Sequence, residues 1–156
     1  MNLPLLTIWC GVLVRNWRDH IMTVRTESGY TLPGGPVKLT TQTHLASSAS
    51  VSAMYNIGLS RKLEKVVGLR QDKNDPWPLV MVFDGGVLAE DDEKLLGFFV
   101  SPLGPERTRV WLTLDAAKQQ LPSWQREITE GAMQQSQIRQ GLPVYGSRAG
   151  GTDGEI

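Results

Sequence analysis

The stretch from Gly29 to Leu59 holds the residue types that most suggest chemistry. It opens with GYTLPGG and runs on into LASSASVSAMYNIGL. A glycine pair ahead of a helix is typical of a loop that presents backbone N–H groups to a phosphate. Yet there is no Asp or Glu from Ser28 to Leu63. The segment therefore lacks the carboxylates that usually hold a metal ion beside a diphosphate.

Three further kinds of side chain in this part of the chain and before it could take part in a reaction. His44 lies near the predicted helix start and is a candidate general acid or base, although a histidine there is more often a surface or capping residue. The serines of ASSASVS lack a G-x-S-x-G turn and a Ser, His and Asp set, so charge replacement on a helix is the better interpretation. Cys10 lies in an apolar run, where a small buried hydrophobe is favoured over a nucleophile.

Length, charge and cysteine content limit the class of protein. A chain of 156 residues can bury one sizeable core. The net charge is zero, which argues against a general nucleic-acid binder. A single cysteine favours a reducing, cytoplasmic setting. No basic segment precedes the first apolar run, so we expect neither a signal peptide nor contact with a membrane.

Periodicity and turn residues predict the elements that must position these side chains. Strands are predicted over 6–15, 20–26, 61–71, 79–88, 95–103 and 109–114, and a short strand is predicted within 27–35. A Gly-Gly turn is expected to end the strand 79–88, and a solvated acidic turn is expected over 89–94. A helix is predicted from Thr40 to Ile57, capped by Thr40, Thr41 or Thr43 and stopped by Gly58. Asp115 is expected to cap a helical segment that Pro122 breaks.

This order of elements predicts an α/β fold, a mixed β-sheet covered by helices on both faces in an α/β/α sandwich. We expect one domain over residues 1–145. The Gly-rich residues 146–156 are expected to form a disordered C-terminal tail.

The chain resembles the Nudix hydrolase superfamily, with a degenerate Nudix box. That box runs Gly, five residues, Glu, seven residues, then Arg-Glu-U-x-Glu-Glu-x-Gly-U, where U is bulky and apolar, and it usually follows Leu-Pro-Gly. LPGG matches the entry to the box, GVLV and TVRT match the two strands before it, and VMVFDGG, VWLTLDAAKQQLP and a C-terminal helix follow in the family order. The resemblance covers about residues 3 to 145.

Alignment on Gly35 carries the box onto this sequence position by position. The first Glu falls on Thr41, the Arg-Glu pair on Ala49 and Ser50, the apolar position on Val51, the Glu-Glu pair on Ala53 and Met54, the final glycine on Asn56 and the last apolar position on Ile57. Taking Gly58 as the box glycine instead would move the Glu-Glu pair to Tyr55 and Asn56. Neither register contains an acid.

The resemblance implies that the box carboxylates hold Mg²⁺ or Mn²⁺, which clamps the diphosphate and helps to activate water. Because serine, alanine and methionine replace them, we expect this helix to bind no catalytic metal, and no cofactor is predicted. Glu27, Asp84 or the acidic run Glu90–Glu93 could hold a displaced metal. For Asp84 a turn-capping role is favoured, and for the acidic run a solvated turn.

The resemblance then implies a metal-free pocket for a small molecule that is anionic or aromatic. An anion would bind the N–H groups of the Gly34-Gly35 loop together with Arg25 and Lys38. An aromatic ligand would contact apolar and aromatic side chains. The candidate ligand-binding residues are Arg25, Tyr30, Gly34, Gly35, Lys38, Ser50, Met54 and Tyr55, with Trp77 beside them and His44 as the candidate catalytic residue.

Two functions remain open at the level of sequence. The first is a ligand-binding or regulatory module that does not hydrolyse diphosphates. The second is an enzyme that reuses the pocket, either for metal-independent acid–base or isomerase-type chemistry or for hydrolysis with a metal on other carboxylates. Because members of this superfamily often pair, a homodimer is a further expectation.

We predict no Mg²⁺- or Mn²⁺-dependent hydrolysis of nucleoside diphosphate derivatives, because the metal ligands of the box helix are absent. Release of phosphate or nucleotide product is measured with each metal and with EDTA. Turnover that the metal supports and EDTA abolishes would contradict the prediction.

Overall fold

The computed structural model describes residues 7–40, 44–72, 76–104 and 107–139. The predicted tail, 146–156, and the candidate caps Thr41 and Thr43 lie outside these residues.

Four strands come first along the described residues, and the remaining three strands are interspersed with four helices. The strands are β1 (Thr7–Asn16), β2 (Ile21–Thr26), β3 (Gly29–Thr31), β4 (Gly34–Lys38), β5 (Val66–Gln71), β6 (Leu79–Leu88) and β7 (Thr108–Leu112). The helices are α1 (Leu45–Ile57), α2 (Glu90–Leu96), α3 (Leu114–Gln120) and α4 (Ser123–Arg139). The break between α3 and α4 at Pro122 agrees with the prediction, whereas α3 begins after a different cap. The Thr113 hydroxyl, rather than Asp115, accepts the hydrogen bond from Ala116 N.

The strands form one mixed sheet around β1. Its order is β3-β2-β1-β6-β5, with β4 paired to β1 and β7 paired to β2. β1 and β6 are parallel, and the other pairs are antiparallel. β4 pairs with the first half of β1, and β2 meets β1 at Arg15 and Ile21, as the predicted hairpin requires. The central strand thus has hydrogen-bonded neighbours on both edges.

Alternation along β1 sends its side chains to two separate cores. Ile8, Cys10, Val12 and Val14 belong to a cluster with Ala49, Ala53 and Ile57 of α1. Trp9 and Leu13 belong to a second cluster with Ile128, Ala132 and Met133 of α4. Helices therefore cover both faces of the sheet, which confirms the predicted α/β/α sandwich.

Residues 89–103 differ from the predicted secondary structure. Residues 89–94, predicted as a turn, contribute most of α2, because acids in a first turn interact favourably with the helix dipole. The predicted strand 95–103 is instead the end of α2 and an irregular loop, in which Phe98 is 84% exposed and Val100 is 86% exposed. Arg109 holds this loop by donating hydrogen bonds to the carbonyls of Leu96 and Phe99. A side chain thus satisfies carbonyls that a strand would have paired.

Asp84, Gly85 and Gly86 form a bulge within β6, and the strand continues to Leu88 instead of ending in the predicted Gly-Gly turn. The β1–β6 register shifts here, because Leu13 pairs with Asp84 and Val14 with Gly86. Gly86 has a φ of +81°, which glycine adopts at little cost. Its N–H donates to Asp84 Oδ1 at 2.8 Å. The Asp84 carboxylate therefore has the local structural role that the sequence favoured.

The glycine pair Gly34-Gly35 lies in a strand, although it was predicted as a loop. Gly35 pairs with Cys10, and Gly34 pairs with Gly11. A Cβ at position 34 would collide with the Cys10 carbonyl oxygen and lie 2.7 Å from Gly11 Cα. A Cβ at position 35 would meet no heavy atom closer than Ser52 Oγ, at 4.0 Å. Gly34 is therefore required by the close approach of β1 and β4.

This difference predicts opposite outcomes for two neighbouring substitutions. Gly34→Ala should lower the free energy of unfolding by about 2 kcal/mol or more and the Tm by roughly 4–8 °C, because backbone has to move. Gly35→Ala should change stability by less than about 0.5 kcal/mol. Urea unfolding of both variants measures the difference, and equal losses would contradict the packing described here.

Candidate ligand-binding site

Small side chains let α1 lie close to β1 and β4. Ala49 and Ala53 are one helical turn apart, and both are almost fully buried against the sheet. Gly58 ends the helix in the left-handed conformation, with φ +77°, as predicted. Because only methyl groups separate helix and sheet at these positions, the adjacent face of α1 forms one wall of a cavity beside β4.

Burial along α1 distinguishes the two registers of the resemblance. Val51, aligned with an apolar anchor of the box, is 52% exposed, whereas Ala53 is 2% exposed. Gly58 has the left-handed terminal conformation, and Leu59 after it is buried. These observations favour the register in which Gly58 takes the place of the box glycine, and the segment from Gly35 is then two residues longer than the family pattern. In this register the three acidic positions of the box helix are Ser52, Tyr55 and Asn56.

These three residues line a cavity of about 590 Å³ between α1, β4 and the segment before β7. Its lining residues are Gly34, Gly35, Pro36, Val37, Ser47, Ser48, Val51, Ser52, Tyr55, Asn56, Leu103 and Arg107. The volume lies within the range of small-molecule sites, which is roughly 300–1,000 Å³.

A chain of hydrogen bonds joins the polar residues of the cavity wall. Asn56 is 4% exposed and donates through Nδ2 to Ser52 O at 2.9 Å and to Ser52 Oγ at 3.1 Å. Its Oδ1 accepts from Arg107 Nη1 at 3.0 Å. The buried amide thus has partners on both of its polar atoms, as a buried polar group requires, and it holds the Arg107 guanidinium beside the helix.

Arg107 is the one charged side chain among the described residues that line this cavity. Sequence reasoning missed it because it lies far along the chain, in GPERTRV. The sequence signal that could have indicated Arg107 is its position just before the predicted strand 109–114. The predicted cations Arg25 and Lys38 are exposed on β2 and β4, and neither lines the cavity.

The other predicted ligand-binding residues are divided among several places. Gly34, Gly35 and Tyr55 line the cavity, and Tyr55 is half-exposed. Tyr30 and Trp77 pack against the second core, on the opposite face of the sheet, because the alternation of β3 directs Tyr30 there. Ser50 and Met54 line a neighbouring cavity of about 330 Å³. The predicted set is thus only partly brought together.

The cavity that Ser50 and Met54 line is more basic than the first. Ser60, Arg61 and Lys62 form the rest of its wall with Val51. Ser50 Oγ donates to Arg61 O at 3.3 Å, and Arg61 Nη1 donates to Gly85 O at 2.9 Å. These contacts tie the end of α1 to the bulge in β6.

His44 is the N-cap of α1, a position that the sequence had given to a threonine. Its Nδ1 accepts from Ser47 N at 3.3 Å and lies 3.0 Å from Ser47 Oγ. Such a contact satisfies one of the otherwise unpaired N–H groups of the first turn. The imidazole therefore caps the helix, which is the structural one of the two roles considered for it, the other being general acid or base.

The remaining candidate groups also have identifiable surroundings. Glu93 of α2 accepts from Asn16 Nδ2 at 3.4 Å and from Trp17 Nε1 at 3.2 Å. Glu27 lines a separate cavity of about 400 Å³, on which Arg107 also borders. Burial raises the pKa of the Cys10 thiol to about 11, which agrees with a buried hydrophobe and not with a nucleophile.

The donor groups around the cavity do not fit a magnesium site. Mg²⁺ prefers carboxylates and phosphate oxygens in octahedral geometry, and the box positions offer a serine hydroxyl, a phenol and an amide. In the described part of the chain, no three His, Cys, Asp or Glu side chains gather where they could hold a metal ion.

Comparisons with solved structures place the fold in a known class. A MutT protein from Methanosarcina mazei Go1 is similar over 87% of this chain and 98% of its own, with a TM-score of 0.63 and 18% identity. The NUDIX domain of Shewanella oneidensis NrtR complexed with ADP ribose has a TM-score of 0.61 and 12% identity, over 87% of this chain and 90% of that domain. An ADP-ribose pyrophosphatase from Streptococcus suis 89-1591 has a TM-score of 0.57 and 18% identity, over 86% and 92%.

The chain therefore has the Nudix fold, which confirms the predicted resemblance. At such identities the shared property is the fold itself. No protein-family model and no curated protein matches the sequence. Within the described residues, every helix is too short or too polar to cross a membrane.

The register that burial favours predicts where a metal site can be built. Ser52→Glu, Tyr55→Glu and Asn56→Glu together should create Mn²⁺ binding with a Kd below about 1 mM, measured by calorimetry. If the triple variant is unstable, the double variant Ser52→Glu, Tyr55→Glu, which keeps Asn56, is tested for Mn²⁺ binding in its place.

The matched control uses the register aligned on Gly35, that is Ser50→Glu, Ala53→Glu and Met54→Glu. Ala53→Glu buries a carboxylate in the first core, so this control should lose about 3 kcal/mol or more of stability. A stable control that binds Mn²⁺ better than either box variant would show that the register is wrong.

Proposed function

We propose that this protein is a ligand-binding or regulatory module of the Nudix fold, within one domain over residues 1–145, that does not carry out Mg²⁺-dependent diphosphate hydrolysis. One observation carries the proposal. In the register that burial favours, the three acidic positions of the box are Ser52, Tyr55 and Asn56, and among the described residues of the cavity that they line the charged side chain is a cation, Arg107. The partner is a small molecule, with no nucleic acid and no metal cofactor.

The physical argument rests on the sign of the charge inside the cavity. In a metal-dependent site the cation is the metal ion, and carboxylates hold it. Without the metal, those carboxylates would repel a phosphate. Here the cation belongs to the protein, and an anion can bind Arg107 directly. The NrtR domain, with ADP ribose bound, supports the idea that a Nudix fold can hold a small anionic molecule.

The enzyme alternative has one observation in its favour. Glu27 and Arg107 line the same neighbouring cavity, so an acid and a cation lie at the edge of the main one. A carboxylate in such a position could act as a general base without a metal. Glu27 is exposed, however, whereas a catalytic carboxylate usually lies in a cleft where its surroundings are fixed.

A metabolite screen by thermal shift, run with Mg²⁺ and with EDTA, tests the proposal. We expect anionic ligands whose stabilising effect is the same in both conditions, because no metal takes part. A saturating ligand at about 100 times its Kd adds roughly 2.7 kcal/mol of stability.

Two variants connect the screen to the cavity. Arg107→Gln should remove the ligand-induced shift, and Arg18→Gln, an exposed arginine stacked on Trp17, should leave it intact. Ligands that require Mg²⁺, or that are converted to product in its presence, would refute the proposed function.

A further inference from the structure

The charge of the cavity limits the charge of what it can hold. Arg107 supplies one positive charge, and none of the other described lining residues carries a charge. Arg25 and Lys38, which could have added to it, lie outside the lining. A single guanidinium neutralises one anionic group, so a ligand with several charged groups would leave some of them uncompensated beside apolar walls.

The guanidinium is held in place before any ligand arrives. Asn56 accepts one N–H of Arg107, and Asn56 is itself held by two contacts with Ser52. A guanidinium has five N–H donors in a planar fork, so several remain for a carboxylate after this bond is made. Because the side chain is ordered in advance, an anion binds with a smaller loss of conformational entropy.

Ser52 places a second polar group on the same wall. Its hydroxyl accepts from Asn56 Nδ2, which leaves its own proton to be donated elsewhere. The Oγ atom faces β4, since it lies 4.0 Å from where a Cβ on Gly35 would stand. One cation and one hydroxyl donor thus line the same cavity, and each is bonded to Asn56.

The remainder of the wall is apolar and partly aromatic. Tyr55 is 50% exposed, Val51 52% and Leu103 42%, and Val37 and Pro36 lie on the β4 side. A hydroxyl of Ser101 bonds the Tyr55 carbonyl at 2.5 Å, and so ties this part of α1 to the loop that carries Leu103. Exposed apolar side chains that surround a cavity gain from being covered by a ligand of matching character.

We propose that the cavity binds an aromatic carboxylate, that is, a small molecule in which one carboxylate is joined to a flat apolar ring. The carboxylate pairs with Arg107 and accepts from Ser52, and the ring lies against Tyr55 and Val51. The proposal rests on the proposed function and names the ligand class for the same site. It differs from the diphosphate ligands that the fold suggests, because a diphosphate brings a charge on each phosphate and meets one cation among the described lining residues.

Calorimetry on the full chain with four probes tests each part of the proposal. Indole-3-acetate carries both the ring and the carboxylate, indole-3-acetamide lacks the charge, acetate lacks the ring, and ADP-ribose carries a diphosphate. With EDTA present, indole-3-acetate should bind at least about tenfold more tightly than each of the other three, because each lacks one of the two matched contacts or adds uncompensated charge.

Variants assign the contacts to their side chains. Arg107→Gln should weaken indole-3-acetate about tenfold and leave indole-3-acetamide unchanged, because it removes only the charge contact. Tyr55→Ala should weaken both indole probes by roughly five- to tenfold and leave acetate unchanged. Arg18→Gln, the control, should alter none of the affinities. If Arg107→Gln fails to fold, Arg107→Lys keeps the charge but not the fork and should give an intermediate loss.

The outcomes separate this inference from the proposed function. ADP-ribose that binds without metal, depends on Arg107 and exceeds indole-3-acetate would overturn the ligand class and leave the proposed function standing. Hydrolysis of ADP-ribose that needs Mg²⁺ would overturn the proposed function itself. Absence of binding for all four probes would also overturn the ligand class, and the metabolite screen would then decide on the proposed function alone.

Discussion

The pairing of β4 with the first half of β1 is the contact on which the site depends. At Gly34 the two backbones approach so closely that no side chain fits between them. This approach sets the position of β4 beside α1, which packs on both strands through Ala49 and Ala53. Small residues therefore occur at both contacts, and the cavity is the space that remains where β4 and the outer face of α1 diverge.

One buried amide then determines the electrostatics of that space. Asn56 lies in the last turn of α1, almost fully buried, and a buried amide is costly unless its donor and its acceptor are both bonded. Ser52, one turn earlier, supplies the acceptors, and Arg107, from the segment before β7, supplies the donor. The same requirement thus stabilises the helix end and brings a cation to the wall of the cavity.

The two glycine pairs within the described residues, Gly34-Gly35 and Gly85-Gly86, serve the fold in different ways, and both lie within strands. Gly34 lets two strands approach, and Gly86 accepts a positive φ within the bulge of β6. That bulge presents the Gly85 carbonyl to Arg61 and so anchors the turn after α1. A glycine motif that suggests ligand binding can therefore be explained by packing. Glycine is favoured wherever the backbone must lie close to another group, whether that group is a ligand or a neighbouring strand.

The sequence by itself determined the architecture, because it depends on local periodicity and on turn residues. Apolar runs rich in β-branched and aromatic residues predicted β1, β2 and β6, and Gly58 predicted the end of α1. The absence of acids from Ser28 to Leu63 is independent of any alignment. The tertiary structure alone decided which side chains meet. Tyr30 and Trp77 went to the opposite core, Val51 proved exposed, and His44 became a cap. Arg107 lies 51 positions beyond Asn56 in the sequence and contacts it in the fold. The antiparallel pairing of β7 with β2 sets the position of Arg107. Such long-range pairing leaves no local pattern in the sequence.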